Sequence, residues 1–328
     1  MILVLGGAGY IGSHMIKLLR EAGEPHVVFD NFEQGHRESL LGSEFFEGDL
    51  RKPETLKNCF EKYPGIDVVM HFAAYISVGE SVKDPAKYWE NNTAGVLTLL
   101  EAMREFGVQK LVFSSTAAIF GEPQYIPIDE GHPKNPTSCY GDTKLAVERM
   151  LADFDKGYDT KSVCLRYFNA AGADPSGKIG EDHHPEEHLV PLAIAAALGR
   201  RPSLKVFGTD WDTIDGTCVR DYVHVLDLAQ AHLLAVRHLR GGGESRHYNL
   251  GNGVGFSVRQ VLETVEKVGG KPVPAEDAPR RPGDPAKLIA SSEKIRSDWG
   301  WQPQYPELET IVEHAWRWHV AHPQGYAG

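Results

Sequence analysis

Cysteine is scarce in this chain. Cys59, Cys139, Cys164 and Cys218 are the only four in 328 residues, and no two form a CxxC pair. Neither a disulfide framework nor a cysteine zinc site is expected, and reduced thiols point to the cytoplasm. Positive charge is also short: 34 Lys and Arg stand against 45 Asp and Glu, for a net charge of -11. Such a chain offers no basic field to attract nucleic acid or an anionic membrane. No apolar run approaches the ~20 residues that cross a bilayer, and no basic-then-apolar leader opens the sequence. A soluble, unexported protein is expected. Internal repeats and low-complexity tracts are missing too, which leaves an ordinary globular fold.

What is present reads as alternating strands and helices. Apolar runs at 1–5, 26–29, 45–48, 66–72 and 110–113 alternate with helical patterns up to Arg20, from near Pro53, over 83–106 and over 145–154. This order predicts an α/β fold, a doubly wound parallel sheet of Rossmann type with right-handed crossovers. The length suits one large domain, 1–173, followed by a smaller C-terminal domain, 174–328. A segment near 217–240, a strand followed by a helix, is expected to pack back on the first domain.

The first strand runs into Gly6-Gly7-Ala8-Gly9-Tyr10-Ile11-Gly12, so Gly6, Gly9 and Gly12 form GxxGxxG ahead of a helix. Missing side chains allow a tight turn and let a pyrophosphate approach the helix N-terminus. The second strand ends at Asp30, 18 residues beyond Gly12, the spacing at which a carboxylate meets a ribose. A carboxylate there would repel a 2'-phosphate and Arg37 stands off in a loop, so NAD is expected rather than NADP. Asp49, after the third strand, is a candidate for the adenine edge or a helix cap. Ala73 and Ala74 after the fourth strand are small enough to let a cofactor pass. Asn91 and Asn92 fall inside the 83–106 helix, where a solvated pair or a packing hydrogen bond is expected.

The fifth strand ends in Ser114-Ser115-Thr116, hydroxyls at the edge where open parallel sheets bind ligands. Tyr140 and Lys144 follow, four residues apart and therefore on one helix face. A phenol titrates near about 10, and a lysine cation beside it would favour the phenolate. Tyr140 is thus the candidate general base and acid.

Beyond Asp174 the pattern loosens into a loop rich in Gly, Asp, His and Pro. His183, His184 and His188 lie in it, but Pro185 stands where a zinc-protease motif needs glutamate, so no metal is expected. Arg220 could pair with Asp221 or grip a phosphate. Arg280-Arg281-Pro282-Gly283-Asp284 carries two further cations in a turn.

Taken together, these residues resemble the extended short-chain dehydrogenase/reductase family, and within it the UDP-glucose 4-epimerase group. The resemblance runs from Gly6 to Tyr326, most specifically in VGESV (78–82), LRYFNAAGADPSG (165–177), VRDYVHVLDLA (219–229) and YNLGNGVGFSV (248–258). It implies catalysis by Thr116, Tyr140 and Lys144. It adds Tyr10, Ile11, Asn31, Leu50, Phe72, Asn91, Ser114 and Phe168 to the NAD contacts. For a UDP-sugar it implies Arg220 and Arg281 on the diphosphate, Asp284 on the uridine ribose and Asn169 on a phosphate or the uracil. His188, Leu189, Val206, Phe207 and Leu288 complete that site.

The chemistry so implied is oxidation at the sugar C4, with Tyr140 taking the hydroxyl proton and NAD the hydride, rotation of the 4-ketose, and reduction from the other face. Lys144 is implied to bond the nicotinamide ribose and depress the Tyr140 pKa. A homodimer through the helices 83–106 and 145–156 is implied as well. Relatives that eliminate water follow the threonine with acids, whereas Ala117-Ala118 follow here, which favours epimerisation over a dehydratase or reductase. A non-catalytic NAD-sensing protein is the remaining reading. Several positions depart from the pattern. Ile76 replaces a lysine, Phe120 a tyrosine, and Glu187-His188 an asparagine pair. Leu288 stands where a tyrosine would restrict substrates to hexoses, which leaves N-acetylated and pentose UDP-sugars open.

Overall fold

The computed structural model describes residues 1–281 and 283–326. Pro282, inside the arginine turn, lies outside the described residues. Contacts gather into two compact units. The first contains Met1–Gly121, Lys134–Arg166 and Ala229–Tyr248; the second contains Glu122–Pro133, Tyr167–Leu228 and the chain from Asn249 onward. The division is therefore not a single cut after residue 173. Residues 122–133 group with the second unit, and the segment that returns to the first is 229–248, later than the 217–240 read from the pattern.

The first unit is built on a seven-stranded sheet ordered Arg246–Leu250, Lys161–Tyr167, Lys110–Thr116, Val68–His71, Ile2–Leu5, His26–Asp30 and Phe45–Glu47. Ile2–Leu5 pairs in parallel with both neighbours, Ile2 opposite His26 on one side and Val68 on the other. Strand order reverses beside Ile2–Leu5, where such sheets bind ligands. All four residues of that strand are buried, as are all four of Val68–His71; the apolar runs Ile2–Leu5 and 68–70 are those expected when helices cover both faces. Leu3, Phe29, Val69 and Phe113 share one core with Leu99, Met103 and Leu151 from the helices, each worth roughly 1.5–3 kcal/mol when fully buried.

The helix read over 83–106 is interrupted. Asp84 caps a new start at Pro85–Tyr88, a π turn spans Trp89–Ala94, and Gly95–Glu105 finishes in α geometry. The two asparagines sit in that wide turn and both are buried. Asn92 accepts the Tyr75 amide at 3.0 Å and donates to the Tyr75 carbonyl at 2.9 Å. Its side chain thus replaces the sheet partners that the chain loses at the end of Val68–His71.

In the second unit Val219–His224 is the central strand. Gly255–Ser257 lies antiparallel to it, while Lys287–Leu288 and Asn169–Ala171 pair with it in parallel. Leu204–Phe207 and Ala275–Ala278 form a separate parallel ribbon. Helices Leu189–Ala197, Val258–Gly269 and Leu308–Ala321 meet around Ile194, Val261, Val265 and Ile311. Among the described residues no helix is long and apolar enough to cross a membrane.

Candidate functional site

Gly6 has φ +73°, and a Cβ there would lie 2.6 Å from the Ala73 amide nitrogen; a Cβ on Gly12 would lie 2.1 Å from the Gly6 carbonyl oxygen. Only glycine lets the loop close so tightly. Helix Tyr10–Glu21 starts from Gly9, which supplies no side-chain cap, so its first-turn amides lack intrahelical partners and suit an anion. Asp30 is buried at its strand end, with Oδ2 accepting the Ala8 amide at 2.9 Å and Oδ1 the Phe32 amide at 2.8 Å. Burial raises its pKa while those bonds oppose the shift. Arg37 is drawn elsewhere, over the Phe32 ring at 4.1 Å and onto Glu47 at 2.5 Å. The neighbouring Asn31 accepts the Glu33 amide at 3.0 Å.

Asp49 binds Arg51 at 2.6 Å, and the helix Pro53–Lys62 has Lys52 as its cap residue. The cap reading of Asp49 is corrected accordingly: its carboxylate goes to the nearer cation. Leu50 is buried, and a Cβ on Gly95 would lie 2.6 Å from it. The Phe72 amide donates to the Leu5 carbonyl at 2.8 Å and so brings Ala73 and Ala74 past Gly6. The glycine cradle, the uncapped helix start and the acid at the second strand end fit a dinucleotide.

Tyr140 and Lys144 both lie in helix Cys139–Tyr158, which begins earlier than the 145–154 pattern because Ser138 caps it through the Gly141 amide. Tyr140 is half-buried; its amide donates to Ser81 Oγ at 3.1 Å. Burial pushes its phenol up to about 12, and a hydrogen bond with Thr116 acts in the opposite direction. Lys144 is 2% exposed. Burial pulls its ammonium down to about 7. The expected lowering of the Tyr140 pKa by Lys144 is not found among the protein's own groups. Nζ donates to the Ser114 carbonyl at 2.8 Å and stands 6.0 Å from the Tyr140 ring centre. Desolvation outweighs a charge at that separation. Thr116 Oγ1 accepts the Ala118 amide at 3.1 Å and caps the turn Ala117–Ile119, where no acid stands.

The second unit gathers most of the residues implied for a UDP-sugar. Arg220 does not pair with Asp221, whose carboxylate accepts the amides of Asn252, Gly253 and Ala290. Its guanidinium instead bonds the Pro285 carbonyl at 2.9 Å and lies 3.9 Å from Asp284. Arg281 reaches Asp284 at 2.9 Å and lies over the Phe207 ring at 4.7 Å. Leu288 stands opposite Arg220 in register. Arg280 turns away to Asp210 and the Trp211 ring. Val206 is buried. Phe168 donates its amide to Leu250, and Asn169 lies opposite Tyr222 in register. His188 precedes Leu189 at the start of helix Leu189–Ala197, with Nδ1 facing Glu181 and Glu186.

A family model described as the NAD dependent epimerase/dehydratase family matches residues 2–251. The chain belongs to the NAD dependent epimerase/dehydratase family. A UDP-glucose 4-epimerase of Halalkalibacterium halodurans is 56% identical over 326 residues, covering 99% of this chain and 97% of that protein. A crystal structure of a UDP-glucose 4-epimerase superposes with a TM-score of 0.97 at 50% identity, covering 100% of this chain and 99% of the other. The Bifidobacterium longum UDP-glucose 4-epimerase in complex with NAD+ and UDP superposes with a TM-score of 0.94 at 36% identity, covering 99% of each chain.

Sequence reasoning missed one group next to Tyr140 and Lys144. Glu148 lies one further turn beyond Lys144, and Arg166 clamps it with Nε at 2.9 Å and Nη2 at 2.7 Å. Ser115 donates to the same carboxylate at 2.7 Å. Both charged side chains are buried, at 2% and 4% exposure. Against the upward push of burial, Arg166 holds the Glu148 carboxyl below its usual range. The spacing 140, 144, 148 was a signal available in the sequence, since all three positions share one helix face. Phe120, where a tyrosine was expected, is fully buried with its ring 5.6 Å from Arg166, whereas Ile76 is exposed.

Proposed function

We propose that this enzyme interconverts UDP-glucose and UDP-galactose by reversible oxidation at C4. The observation that carries the reading is likeness to UDP-glucose 4-epimerases over essentially the whole chain, together with the Thr116, Tyr140 and Lys144 arrangement in the first unit. Tyr140 removes the proton of the sugar 4-hydroxyl and later returns it, and Thr116 bonds the same oxygen. NAD, when bound, supplies the acceptor for the C4 hydride and the donor that gives it back. Gly6, Gly9 and Gly12 make room for its pyrophosphate, Asp30 bonds its adenosine ribose, and Lys144 faces its nicotinamide ribose. Arg220 and Arg281 keep hold of the diphosphate while the 4-keto sugar turns, and Asp284 bonds the uridine ribose. Carrying out proton transfer and anchoring on the protein leaves only the hydride to the cofactor. The turn after Thr116 holds alanines instead of the acids that an elimination would use.

Two further properties belong to the proposal. Cytoplasmic residence is supported by four cysteines that are all free thiols. A homodimer is supported by Trp89 and Leu97, which leave apolar surface exposed at 43% and 42% on the stretch that contains the π turn.

The test is proton NMR of the purified protein with UDP-galactose and no added cofactor. Appearance of the UDP-glucose anomeric signal is the expected result. No conversion, even after NAD is supplied, would overturn the reading. The same assay with UDP-N-acetylgalactosamine measures the room at Leu288.

A further inference from the structure

Four side chains in the loop before helix Leu189–Ala197 come together in a way their spacing did not announce. Glu181, His183, Glu186 and His188 each bring a donor atom within 4.8 Å of the other three. His188 Nδ1 stands 2.9 Å from Glu181 Oε1 and 3.0 Å from Glu186 Oε1; His183 Nδ1 stands 3.4 Å from Glu181 Oε1 and 3.6 Å from Glu186 Oε2. Ligands held at about 2.0–2.2 Å around a tetrahedral ion are roughly 3.3–3.6 Å from one another. The bland alternative is a pair of interlocked His–Glu ion pairs.

Glu181 is the most deeply buried of the four. Its carboxylate is 4% exposed, and Oε1 faces two imidazole nitrogens at once, His188 Nδ1 at 2.9 Å and His183 Nδ1 at 3.4 Å. The four donor atoms surround one shared point. A carboxylate buried in that way carries a desolvation cost that an ion at the shared point would offset. Both acids are also fixed from outside. The residues flanking Glu181 are anchored, Gly180 by donating its amide to the Tyr326 hydroxyl at 2.9 Å and Asp182 by accepting the Tyr326 amide at 2.8 Å. Glu186 Oε1 accepts the amides of Glu187 and His188, each at 2.8 Å. Such outer contacts hold metal ligands in place.

We propose that Glu181, His183, Glu186 and His188 form a structural site for a divalent first-row transition ion, zinc in the first instance. Two imidazoles and two carboxylates suit zinc, while calcium and magnesium require more oxygens. Four protein ligands close the coordination sphere, so the ion stabilises the loop and takes no part in turnover. The proposal is independent of the reaction assigned above, since a protein inactive on UDP-sugars would hold the ion equally well.

The experiment uses untagged full-length protein with its nucleotide, stripped with chelator and titrated with Zn2+ by calorimetry. One ion per chain and a higher melting temperature with Zn2+ are expected. Glu181→Gln and His183→Gln should each weaken Zn2+ binding at least about tenfold and still melt cooperatively. Co2+ added to the wild-type protein keeps the test decisive if either variant fails to fold. Intense visible bands of a four-coordinate ion, bleached by Zn2+, support the site. Absence of stoichiometric Zn2+ uptake, a weak six-coordinate Co2+ spectrum, or folded variants with unchanged affinity would each overturn it.

Discussion

The Lys144 ammonium donates to the Ser114 carbonyl across 2.8 Å while 2% exposed. One carbonyl does not offset its burial, which brings the pKa to about 7 from an ordinary 10.5. The native state therefore binds fewer protons than the unfolded state between those two values. Stability from this group rises with pH from about 7 to 10.5, and below about 7 the full cost of a buried charge is present. For protein freed of nucleotide, Lys144→Met should remove about 2–3 kcal/mol of that rise between pH 7 and 9. Urea midpoints at several pH values in both proteins check this. Parallel curves would mean that Lys144 keeps an ordinary pKa in the fold.

Tyr140 is tied to Ser81 through its amide and to Thr116 through its hydroxyl. Tyr140→Phe keeps the ring and loses the proton carrier. Its kcat should fall about 10^2- to 10^4-fold, with bound NAD per chain unchanged on ultraviolet assay of the acid-released nucleotide. Retained turnover would assign the base elsewhere.

Gly12 sits so close to Gly6 that a methyl group would meet its carbonyl at 2.1 Å. Gly12→Ala must push the loop away from the helix, at a cost of about 1–3 kcal/mol. The expected outcome is a lower melting temperature and at least about tenfold weaker NAD binding, read by dialysis and calorimetry. Unchanged NAD affinity would remove the loop from the cofactor site.

Glu148 is clamped by Arg166 and Ser115 inside the first unit. Glu148→Gln leaves a buried guanidinium without its counter-charge, and the loss should be about 3–5 kcal/mol in urea unfolding. A change below 1 kcal/mol would show that solvent reaches the pair.

Much of this site could be read from local order. Gly6, Gly9 and Gly12 follow a strand and open a helix, and Asp30 ends the next strand, so chain-adjacent spacing placed them. Tyr140 and Lys144 needed only the helical repeat. Arg220 was ambiguous because sequence neighbours in a strand point to opposite faces; Asp221 faces the amides of Asn252 and Gly253, leaving Arg220 with Asp284. Asp49 was ambiguous for a different reason, since a carboxylate can satisfy either a cation or a helix start.

The sequence by itself determined the alternating α/β order, the glycine loop and the Tyr-Lys pair, because each depends on residues within a few positions of one another. Tertiary structure decided what distant residues do to those groups. It pulled the Lys144 pKa down by burial, set Arg166 against Glu148, and widened the helix at Asn92 to reach Tyr75. It also brought Glu181, His183, Glu186 and His188 around one point through a loop with no periodicity to read. Burial and convergence of donor atoms arise only when the chain has folded, and no spacing rule contains them.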